Sequence, residues 1–351
     1  MTKLIQNISQ PKLSICMATF NRSQFISETL DSILKDIPDD VEIVIVNGAS
    51  PDNTDAVVAP YLLKYPQISY YHEKKNSGVD EDFDKAVNYA KGKYCWLMPD
   101  DDLIIPGAIS SILKALHEKP DLVVINSECW NANFSKNLHT KMLNIKKDER
   151  YTATDNDQSF LDLARCLSYI GSVIIERRKW LTRDRVSYYG SLFIHVGVIY
   201  QNPPLSLVIA IAEPLIKIRY GNSMWTPRTF EIWYLKWPKL IWSFDYAEEL
   251  KVKVVRKNPT SSLIKLFKSR ALGQYSCYEY KKFISPNPLS INKAIAWVIS
   301  IYPKKLANLI CVFYHCLNKK NSLFALFDLL RSSQASLFSR IVAYFFKVKV
   351  F

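Results

Sequence analysis

The chain has 351 residues, of which 48% are hydrophobic, so it can build one large domain or two smaller ones around a substantial core. It contains only nine glycines and neither a G-x-G-x-x-G nor a P-loop pattern, which excludes glycine-rich phosphate loops. Its seven cysteines include no C-x-x-C pair and no regular spacing, so we expect reduced thiols, a reducing cytosol and no structural zinc. The start, MTKLIQNISQPK, has no apolar segment of the signal-peptide kind.

The net charge of +13 is concentrated near the end of the sequence. Residues 251–351 contain 18 Lys and Arg but only two acidic residues, interleaved with bulky apolar side chains. This mixture favours an anionic membrane surface over nucleic acid, and no nucleic-acid partner is expected. The alternative is a helical tail with an ordinary core and a solvated basic face. No uncharged run reaches the roughly 18 residues that are needed to span a bilayer.

Short apolar runs alternate with amphipathic segments through the first 125 residues. The runs LSICMA, VEIVIV, ISYYH, YCWLM and LVVI predict five strands, at residues 13–18, 41–46, 68–72, 94–98 and 122–125. Helices are predicted between them, and Asn21 and Ser23 are expected to cap the first one. This alternation predicts an α/β fold with a mainly parallel sheet and helices on both faces.

Beyond residue 126 the alternation weakens. Residues 172–176 and 205–219 still have the composition of strands, whereas helical, aromatic and basic segments dominate from about residue 226. We therefore predict an α/β domain over residues 1–225 and a helical, basic region over residues 226–351 that associates with membranes.

Polar residues follow three of the predicted strands, as Thr19–Arg22, Asn47–Asp52 and Asp100–Asp102. In open parallel sheets, ligands bind beyond the carboxyl ends of the strands, so these segments are expected to line one crevice. The acidic triplet is the sharpest local feature, because three adjacent carboxylates repel one another unless a cation or solvent offsets their charge. Hard oxygen donors suit Mg²⁺ or Mn²⁺. An acidic helix N-terminus, stabilised by the helix dipole, is the alternative.

Three segments together resemble a known family: SICMATFNR, VEIVIVNGASPDNT and NSGVDEDFDKAVNYAKGKYCWLMPDDDLIIPGAI. In their order and spacing they resemble family 2 glycosyltransferases of GT-A fold, over about residues 12–125. Within that family the chain looks most similar to bacterial O-antigen transferases of the abequosyltransferase kind. The resemblance implies a nucleotide-diphosphate sugar donor and Mg²⁺ or Mn²⁺ as cofactor.

The resemblance places Thr19, Asn21 and Arg22 against the nucleotide, although Ala18 stands where the family more often has Pro. Asn47 stands where the family usually has the Asp that accepts the N3–H of uracil. An amide can instead donate to a ring nitrogen and accept from an exocyclic amine, as cytosine requires. We therefore hypothesise a CDP-sugar donor, with a dideoxyhexose as the candidate sugar. The alternative is that Asn47 only closes a turn.

In the same comparison, Asp84 stands where the family commonly has Asn, and Phe83 replaces an Arg. Asp84 is predicted to face the donor sugar, with a surface helix residue as the alternative. Asp101 matches the metal-binding carboxylate and is assigned to catalysis. Asp100 then lies near the ribose or the metal. Asp102 completes the predicted metal-ligating set and supports the loop.

The catalytic base is the weakest assignment, since the Glu-Asp pair of inverting relatives is absent. The corresponding stretch contains His195, whose ordinary pKa range suits proton transfer. A histidine satisfied in the core is the alternative, and Asp162, Glu176 and Asp184 are further carboxylate candidates. Farther on, the loop with Arg219, Asn222, Ser223, Trp225 and Arg228 matches a flexible segment of relatives that closes over the diphosphate, and its arginines suit phosphate oxygens. The alternative is a loop that Trp225 anchors in the core.

The sequence thus predicts a glycosyltransferase that moves a sugar to a hydroxyl of a lipid-linked saccharide, in the synthesis of O-antigen or another surface polysaccharide. Its expected location is the cytoplasm, peripheral on the inner face of the plasma membrane. A different class remains open: a non-catalytic protein that docks on membranes or nucleic acid and carries a decayed glycosyltransferase site.

Overall fold

A computed structural model describes residues 10–222, 228–286, 290–318 and 323–348. These residues form two compact units. The first comprises the described residues up to Cys129 together with Thr140–Arg219, and the second comprises Trp130–His139 together with the described residues from Tyr220 onward. The predicted domain boundary at residue 225 falls among residues that the structure does not describe. The predicted division into two domains therefore stays a prediction.

The first unit is built from strands and helices that alternate over its first half. Its strands are β1 (Leu13–Thr19), β2 (Val41–Asn47), β3 (Ile68–His72), β4 (Tyr94–Leu97), β5 (Leu103–Ile104) and β6 (Leu122–Asn131), then, after β7 (Asn137–His139) of the second unit, β8 (Glu149–Thr152), β9 (Val173–Glu176) and β10 (Leu207–Tyr220). Its helices are α1 (Ser23–Leu34), α2 (Thr54–Lys64), α3 (Val79–Tyr89), α4 (Ala108–Leu116), α5 (Asn156–Leu163), α6 (Arg177–Thr182) and α7 (Ile194–Tyr200).

The strands are ordered β3-β2-β1-β4-β9-β6-β10-β5 in one sheet. β3, β2, β1 and β4 are parallel, as the sequence predicts, and β1 pairs with β2 from Leu13 opposite Val41 to Thr19 opposite Asn47. β9 lies antiparallel between β4 and β6, and β10 is antiparallel to β5 and β8. The mainly parallel α/β sheet is therefore confirmed, whereas strand direction in the later part could not be read from apolar runs.

Alternation along the strands gives the sheet two buried faces. On one face Leu13, Ile15 and Met17 of β1 pack with the apolar side of α1, α2 and α4 in one continuous core. On the other face α3 packs against β1 and β2, burying Phe83 and Val87. Helices thus cover both faces, as predicted, and they hold the carboxyl ends of the strands in place.

The start of α1 corrects one local prediction. Neither Asn21 nor Ser23 caps the helix through its side chain. Instead the backbone N–H of Ser23 donates to Asp52 Oδ2 at 2.9 Å, so the cap comes from the loop after β2. Asn21 adopts a left-handed conformation, with φ of 58°. The cap therefore also ties the loops after β1 and β2 together.

The second unit is helical, as the sequence predicts from about residue 226. It contains α8 (Thr229–Glu231), α9 (Trp237–Ser243), α10 (Glu248–Val254), α11 (Leu263–Ala271), α12 (Cys277–Glu279), α13 (Ile291–Ile301), α14 (Lys304–Leu317), α15 (Leu323–Arg331) and α16 (Leu337–Phe345). Two clusters of buried side chains hold it together, one around α14 and α15 and one around Tyr275. Within the described ranges, no single helix has the length and apolar character to cross a membrane, and α13 with α14 reach that length only as a pair bent by 104°.

Candidate active site

The ends of β1 and β2 meet in one crevice of the first unit. The Gly48 N–H donates to the Thr19 carbonyl at 2.9 Å, and the Asn21 N–H donates to the Ser50 hydroxyl at 3.0 Å. The Thr19 hydroxyl is buried and lies close enough to Asp100 to lower the pKa of that carboxyl. These contacts bring together the first two of the polar segments that the sequence placed at strand ends.

The acidic triplet joins this crevice through Arg22. The guanidinium lies 3.2 Å from an Asp101 oxygen and 3.8 Å from an Asp100 oxygen. Both residues are buried, and the side chains of Asp100 and Asp101 are 9% and 12% exposed. Burial, reinforced by the neighbouring charge of Asp101, raises the pKa of Asp100 to about 7, although Arg22 opposes the shift. The loop therefore holds more negative charge than the protein alone stabilises.

Asp102 serves the fold rather than the crevice. One of its oxygens accepts the Arg219 backbone N–H at 2.6 Å, and the other accepts the Tyr169 hydroxyl at 2.5 Å. Burial raises the pKa of Asp102 well above its ordinary range. Both oxygens of Asp102 already accept hydrogen bonds from the protein, so Asp100 and Asp101 are the better metal ligands, and the predicted metal role of Asp102 stays a prediction. Its predicted role in supporting the loop agrees with these contacts.

The remaining pair, Asp100 and Asp101, fits a divalent cation. A cation would offset the repulsion that raises the pKa of Asp100, and carboxylate oxygens suit Mg²⁺ or Mn²⁺. The described part of the chain contains no group of three metal-ligating side chains. Such ions are commonly held by one or two carboxylates together with substrate phosphates and water, so the pair is sufficient.

Arg219 lies at the acidic loop, but its donors are largely used within the protein. Its Nε donates to the Asp101 carbonyl at 2.8 Å, and its terminal nitrogen forms an ion pair with Glu28. The guanidinium groups of Arg22 and Arg219 lie 5.4 and 5.1 Å from the centroid of the Phe25 ring. Arg219 thus braces the loop, and the predicted contact with phosphate is not supported by this geometry. Arg22, which lies beside both carboxylates, is better placed than Arg219 to contact phosphate.

Asn47 is fully buried, and its amide is occupied. Its nitrogen donates to Asp55 at 2.9 Å and to the Tyr70 hydroxyl at 2.7 Å, while its oxygen accepts the Ser50 N–H at 2.8 Å. Both donors of the amide are used within the protein, so it has none left for the ring nitrogen of a base. The structure therefore supports the alternative, in which Asn47 closes the turn after β2, and not the predicted recognition of cytosine.

Asp84 is also committed to the protein. It accepts from Trp180 Nε1 at 2.7 Å and from the Tyr189 hydroxyl at 2.5 Å, and it pairs with Arg185 at 2.8 Å. Since it is 5% exposed, it is neither a surface helix residue nor free to bind a sugar hydroxyl. The predicted contact with the donor is not supported.

His195 lies in α7 and is 1% exposed. One ring nitrogen, Nε2, lies 2.7 Å from the Leu167 carbonyl oxygen. Burial lowers the pKa of His195 to about 4, against the ordinary range on which the prediction of a base relied. A side chain without access to solvent cannot reach an acceptor hydroxyl, so the structure favours the alternative of a core histidine. Of the carboxylate candidates, Asp162 accepts from Tyr151, and Asp184 accepts the Ser187 N–H.

The predicted flexible loop is only partly described. Ser223 and Trp225 lie outside the described residues. Arg228 belongs to the second unit, where it is half exposed and pairs with Glu231 at 3.1 Å. Its predicted contact with the diphosphate stays a prediction.

Sequence reasoning missed three residues that shape the site: Tyr169, Glu28 and Asp82. Tyr169 and Glu28 act through Asp102 and Arg219, at sequence separations of 67 and 191 residues, so no local pattern could indicate them. Asp82 is buried beside the backbone of Gly48, and its position in an acidic helix start gave no hint of that placement.

Comparison with known proteins agrees with this geometry. Residues 14–178 match the sequence model described as Glycosyl transferase family 2. Abequosyltransferase RfbV of Salmonella typhimurium is 29% identical over 224 residues, which cover 60% of this chain and 67% of that protein. The minor teichoic acid biosynthesis protein GgaB of Bacillus subtilis is 25% identical over 162 residues, which cover 42% of this chain but only 18% of that protein.

Solved structures show the same fold. S. aureus TarS 1-349 in complex with UDP gives a TM-score of 0.56 at 14% identity, over 90% of this chain and 89% of that one. The complex of the same protein with UDP-GlcNAc gives a TM-score of 0.53 at 15% identity, over 90% of both chains. At this identity the likeness establishes the fold, which is GT-A. The family match, the relatives and the fold agree that residues 14–178 carry a family 2 glycosyltransferase domain of GT-A fold, and they support a glycosyltransferase.

Proposed function

We propose that the protein transfers a sugar from a nucleoside diphosphate donor to a hydroxyl of a lipid-linked saccharide, as in the synthesis of O-antigen or a related surface polysaccharide. The main support is the buried pair of carboxylates Asp100 and Asp101, which lie beside Arg22 at the ends of β1 and β4. Arg22 offsets their negative charge only in part. The names of the relatives, an abequosyltransferase and a teichoic acid biosynthesis protein, support a surface-saccharide acceptor.

Different residues of the crevice would bind the nucleotide and stabilise the charge of its diphosphate. Asp100 and Asp101 would hold Mg²⁺ or Mn²⁺, which when bound supplies positive charge for the departing diphosphate. Arg22 lies between these carboxylates and is suited to contact phosphate oxygens as well. The nucleoside would lie against the loop after β1, which carries Thr19 beside Asp100 and the Asn21 backbone.

The donor nucleotide is less closely defined. A CDP-linked dideoxyhexose stays the finer prediction from the resemblance, but the contacts of Asn47 give it no support. The TarS complexes contain UDP and UDP-GlcNAc, so a uridine nucleotide is the second donor to be tested.

The experiment is a panel of UDP-, CDP- and GDP-sugars incubated with the protein, a lipid-linked acceptor and Mn²⁺ or Mg²⁺, and read by mass spectrometry. We expect one donor to give a glycosylated acceptor, with the product lost when EDTA is added. A protein that neither transfers sugar nor hydrolyses any donor with metal present would contradict the proposal. That outcome would favour the alternative of a docking protein with a decayed site.

We also propose that the second unit binds the anionic cytoplasmic face of the plasma membrane, where a lipid-linked acceptor would be found. Most of the exposed large hydrophobic side chains of the described residues lie between positions 291 and 345. In α14 they recur at helical spacing on the outer side, as Leu306, Ile310, Phe313, Tyr314 and Leu317.

The same arrangement recurs in α13 and α16. In α16 the exposed residues include Phe338, Tyr344 and Phe345, which are 68%, 81% and 76% exposed. Soluble proteins rarely leave apolar stripes of this extent uncovered. The excess of Lys and Arg in residues 251–351 provides the charge complementarity that selects an anionic lipid surface as the occupant.

Vesicle flotation tests this location. The double variant Phe338→Ser/Phe345→Ser should bind vesicles of anionic lipid at least about tenfold more weakly than the unaltered protein, because two large apolar side chains leave the interface. Leu63→Ser, which removes a 91% exposed leucine of the first unit, is the matched control. Equal binding by the double variant and the control would contradict the proposal, as would equal binding to vesicles without anionic lipid.

A further inference from the structure

One buried carboxylate beside the loop after β2, that of Asp82, is paired with a single cation that it shares with other groups. α3 carries three aspartates at alternate positions, Asp80, Asp82 and Asp84. Asp80 accepts the backbone N–H groups of Leu192 and Ile194, and Asp84 is bound as described above. On a helix, positions two residues apart point in nearly opposite directions, so Asp82 faces away from these partners.

Asp82 points instead at the loop after β2. A Cβ atom added to Gly48 would lie 2.4 Å from Asp82 Oδ2 and 3.7 Å from the Thr19 carbonyl oxygen. The carboxylate therefore occupies the space that any side chain at position 48 would need. Because the Gly48 N–H donates to the Thr19 carbonyl, Asp82 lies beside the point where the ends of β1 and β2 meet.

The carboxylate is poorly satisfied where it lies. Asp82 is 3% exposed, and its Oδ1 has no hydrogen-bond partner among the described residues. Lys85 Nζ lies 3.5 Å from that oxygen, but it also binds Glu73 at 2.8 Å and Ser77 at 3.0 Å. Leaving a buried acceptor unpaired destabilises a fold, so such an atom in a ligand crevice points to a donor that arrives with the ligand.

We propose that Asp82 accepts a hydrogen bond from an N–H group on the edge of the donor's pyrimidine base, and so helps to select the nucleotide. This inference rests on the proposed function. An anionic phosphate would be repelled by the carboxylate, whereas uracil N3–H and the cytosine exocyclic amine are both neutral donors. The donors of Asn47 are used and Gly48 has no side chain, so Asp82 supplies the carboxylate beside the loop after β2.

The strand order supports separate positions for the base and the diphosphate in the crevice. β1 lies between β2 and β4, so Asp82 is beside β2 while Asp100 and Asp101 follow β4. Neighbouring strands are about 4.8 Å apart, which separates the two sites by roughly two strand spacings. A nucleoside laid across β1 would place its base near Asp82 and its diphosphate near Arg22. Burial raises the pKa of Asp82 to about 6, against the opposing charge of Lys85, so at pH 7.5 the group is mainly an acceptor.

Calorimetry of UDP, CDP, ADP and inorganic pyrophosphate with Mn²⁺ tests the proposal. Asp82→Asn is nearly isosteric, and Glu81→Gln on the same helix is the matched control. We expect Asp82→Asn to weaken the preferred pyrimidine diphosphate at least about tenfold, while ADP and pyrophosphate change less than about twofold. Loss of UDP binding identifies the ring N–H as the donor, and loss of CDP binding identifies the exocyclic amine.

Two further measurements guard against misfolding. The thermal transition of Asp82→Asn reports its folding, and Gly48→Ala, which forces the carboxylate aside, should cause the same selective loss. The proposal is overturned if both variants bind the preferred nucleotide as the control does, or if pyrophosphate binding falls in parallel. If the unaltered protein transfers sugar while these variants keep its base preference, only this inference fails. If it binds no nucleoside diphosphate at all, the proposed function fails with it.

Discussion

Two groups of buried aspartates in the first unit differ in how the protein satisfies them. Asp84 and Asp102 receive every hydrogen bond they need from the fold. Asp100 and Asp101 follow β4 and share Arg22, whereas Asp82 in α3 shares Lys85 with Glu73. The difference indicates that burial alone does not identify a functional carboxylate. The informative property is unsatisfied charge in a crevice, and each prediction below tests whether the two groups really behave differently.

The largest effect on stability is expected for Asp84→Asn. The change removes the charge that Arg185 pairs with and disturbs the bonds from Trp180 and Tyr189. Removing one partner of a buried pair leaves the other uncompensated, so we expect about 2–4 kcal/mol of lost stability. Chemical denaturation measures it, with Asp157→Asn at an exposed position as control. A loss below about 0.5 kcal/mol would mean that Asp84 is not the structural residue described here.

In contrast, Asp100→Asn should increase the stability of the metal-free protein. The pKa of Asp100 in the folded protein, about 7, lies above its ordinary value of 3.8. At pH values between these two pKa values, the folded state therefore binds a proton at Asp100 that the unfolded chain does not. The stability of the metal-free protein is thus lost as the pH rises through 7. Without metal the variant should be more stable than the unaltered protein by about 1 kcal/mol or more at pH 8, with the difference vanishing near pH 4.

Unfolding curves of both proteins across this pH range, in EDTA, provide the check. A pH-independent difference would show that Asp100 does not titrate as described. Addition of Mn²⁺ should stabilise the unaltered protein at pH 8 and leave Asp100→Asn nearly unchanged, since binding to the folded state raises its stability.

The smallest effect on turnover is expected for His195→Phe. The side chain is buried and bonded to the Leu167 carbonyl, so its loss should cost about 1 kcal/mol of stability. The turnover of properly folded variant should stay within about threefold of the original value. A hundredfold loss of kcat, with an unchanged thermal transition, would instead indicate that His195 is the catalytic base.

The sheet was readable from the sequence because its strands are continuous apolar runs, such as VEIVIV in β2, bounded by polar turns. The resemblance also located the crevice, since the carboxyl ends of parallel strands lie together. The direction of β9 was not readable, because a buried strand has the same composition in either direction.

The roles of individual side chains were harder to predict. Asn47 and Asp84 stand at positions that resemble a binding pattern, but their partners Tyr70, Trp180 and Tyr189 are distant in sequence. Whether a polar group is free for a ligand depends on such contacts, and spacing along one chain does not record them. Asp82 was missed for the same reason, because Gly48 becomes its neighbour only in the folded sheet.

The central claim is that Asp101, with Asp100, holds a divalent ion at the diphosphate. It is tested most directly by measuring metal-dependent sugar transfer by Asp101→Asn beside Asp157→Asn, with the donor that the panel identifies. We predict that Asp101→Asn loses at least about a hundredfold in turnover at saturating donor, with an unaltered thermal transition, while Asp157→Asn is normal. Turnover within about threefold of the unaltered protein, still dependent on Mn²⁺, would contradict the account.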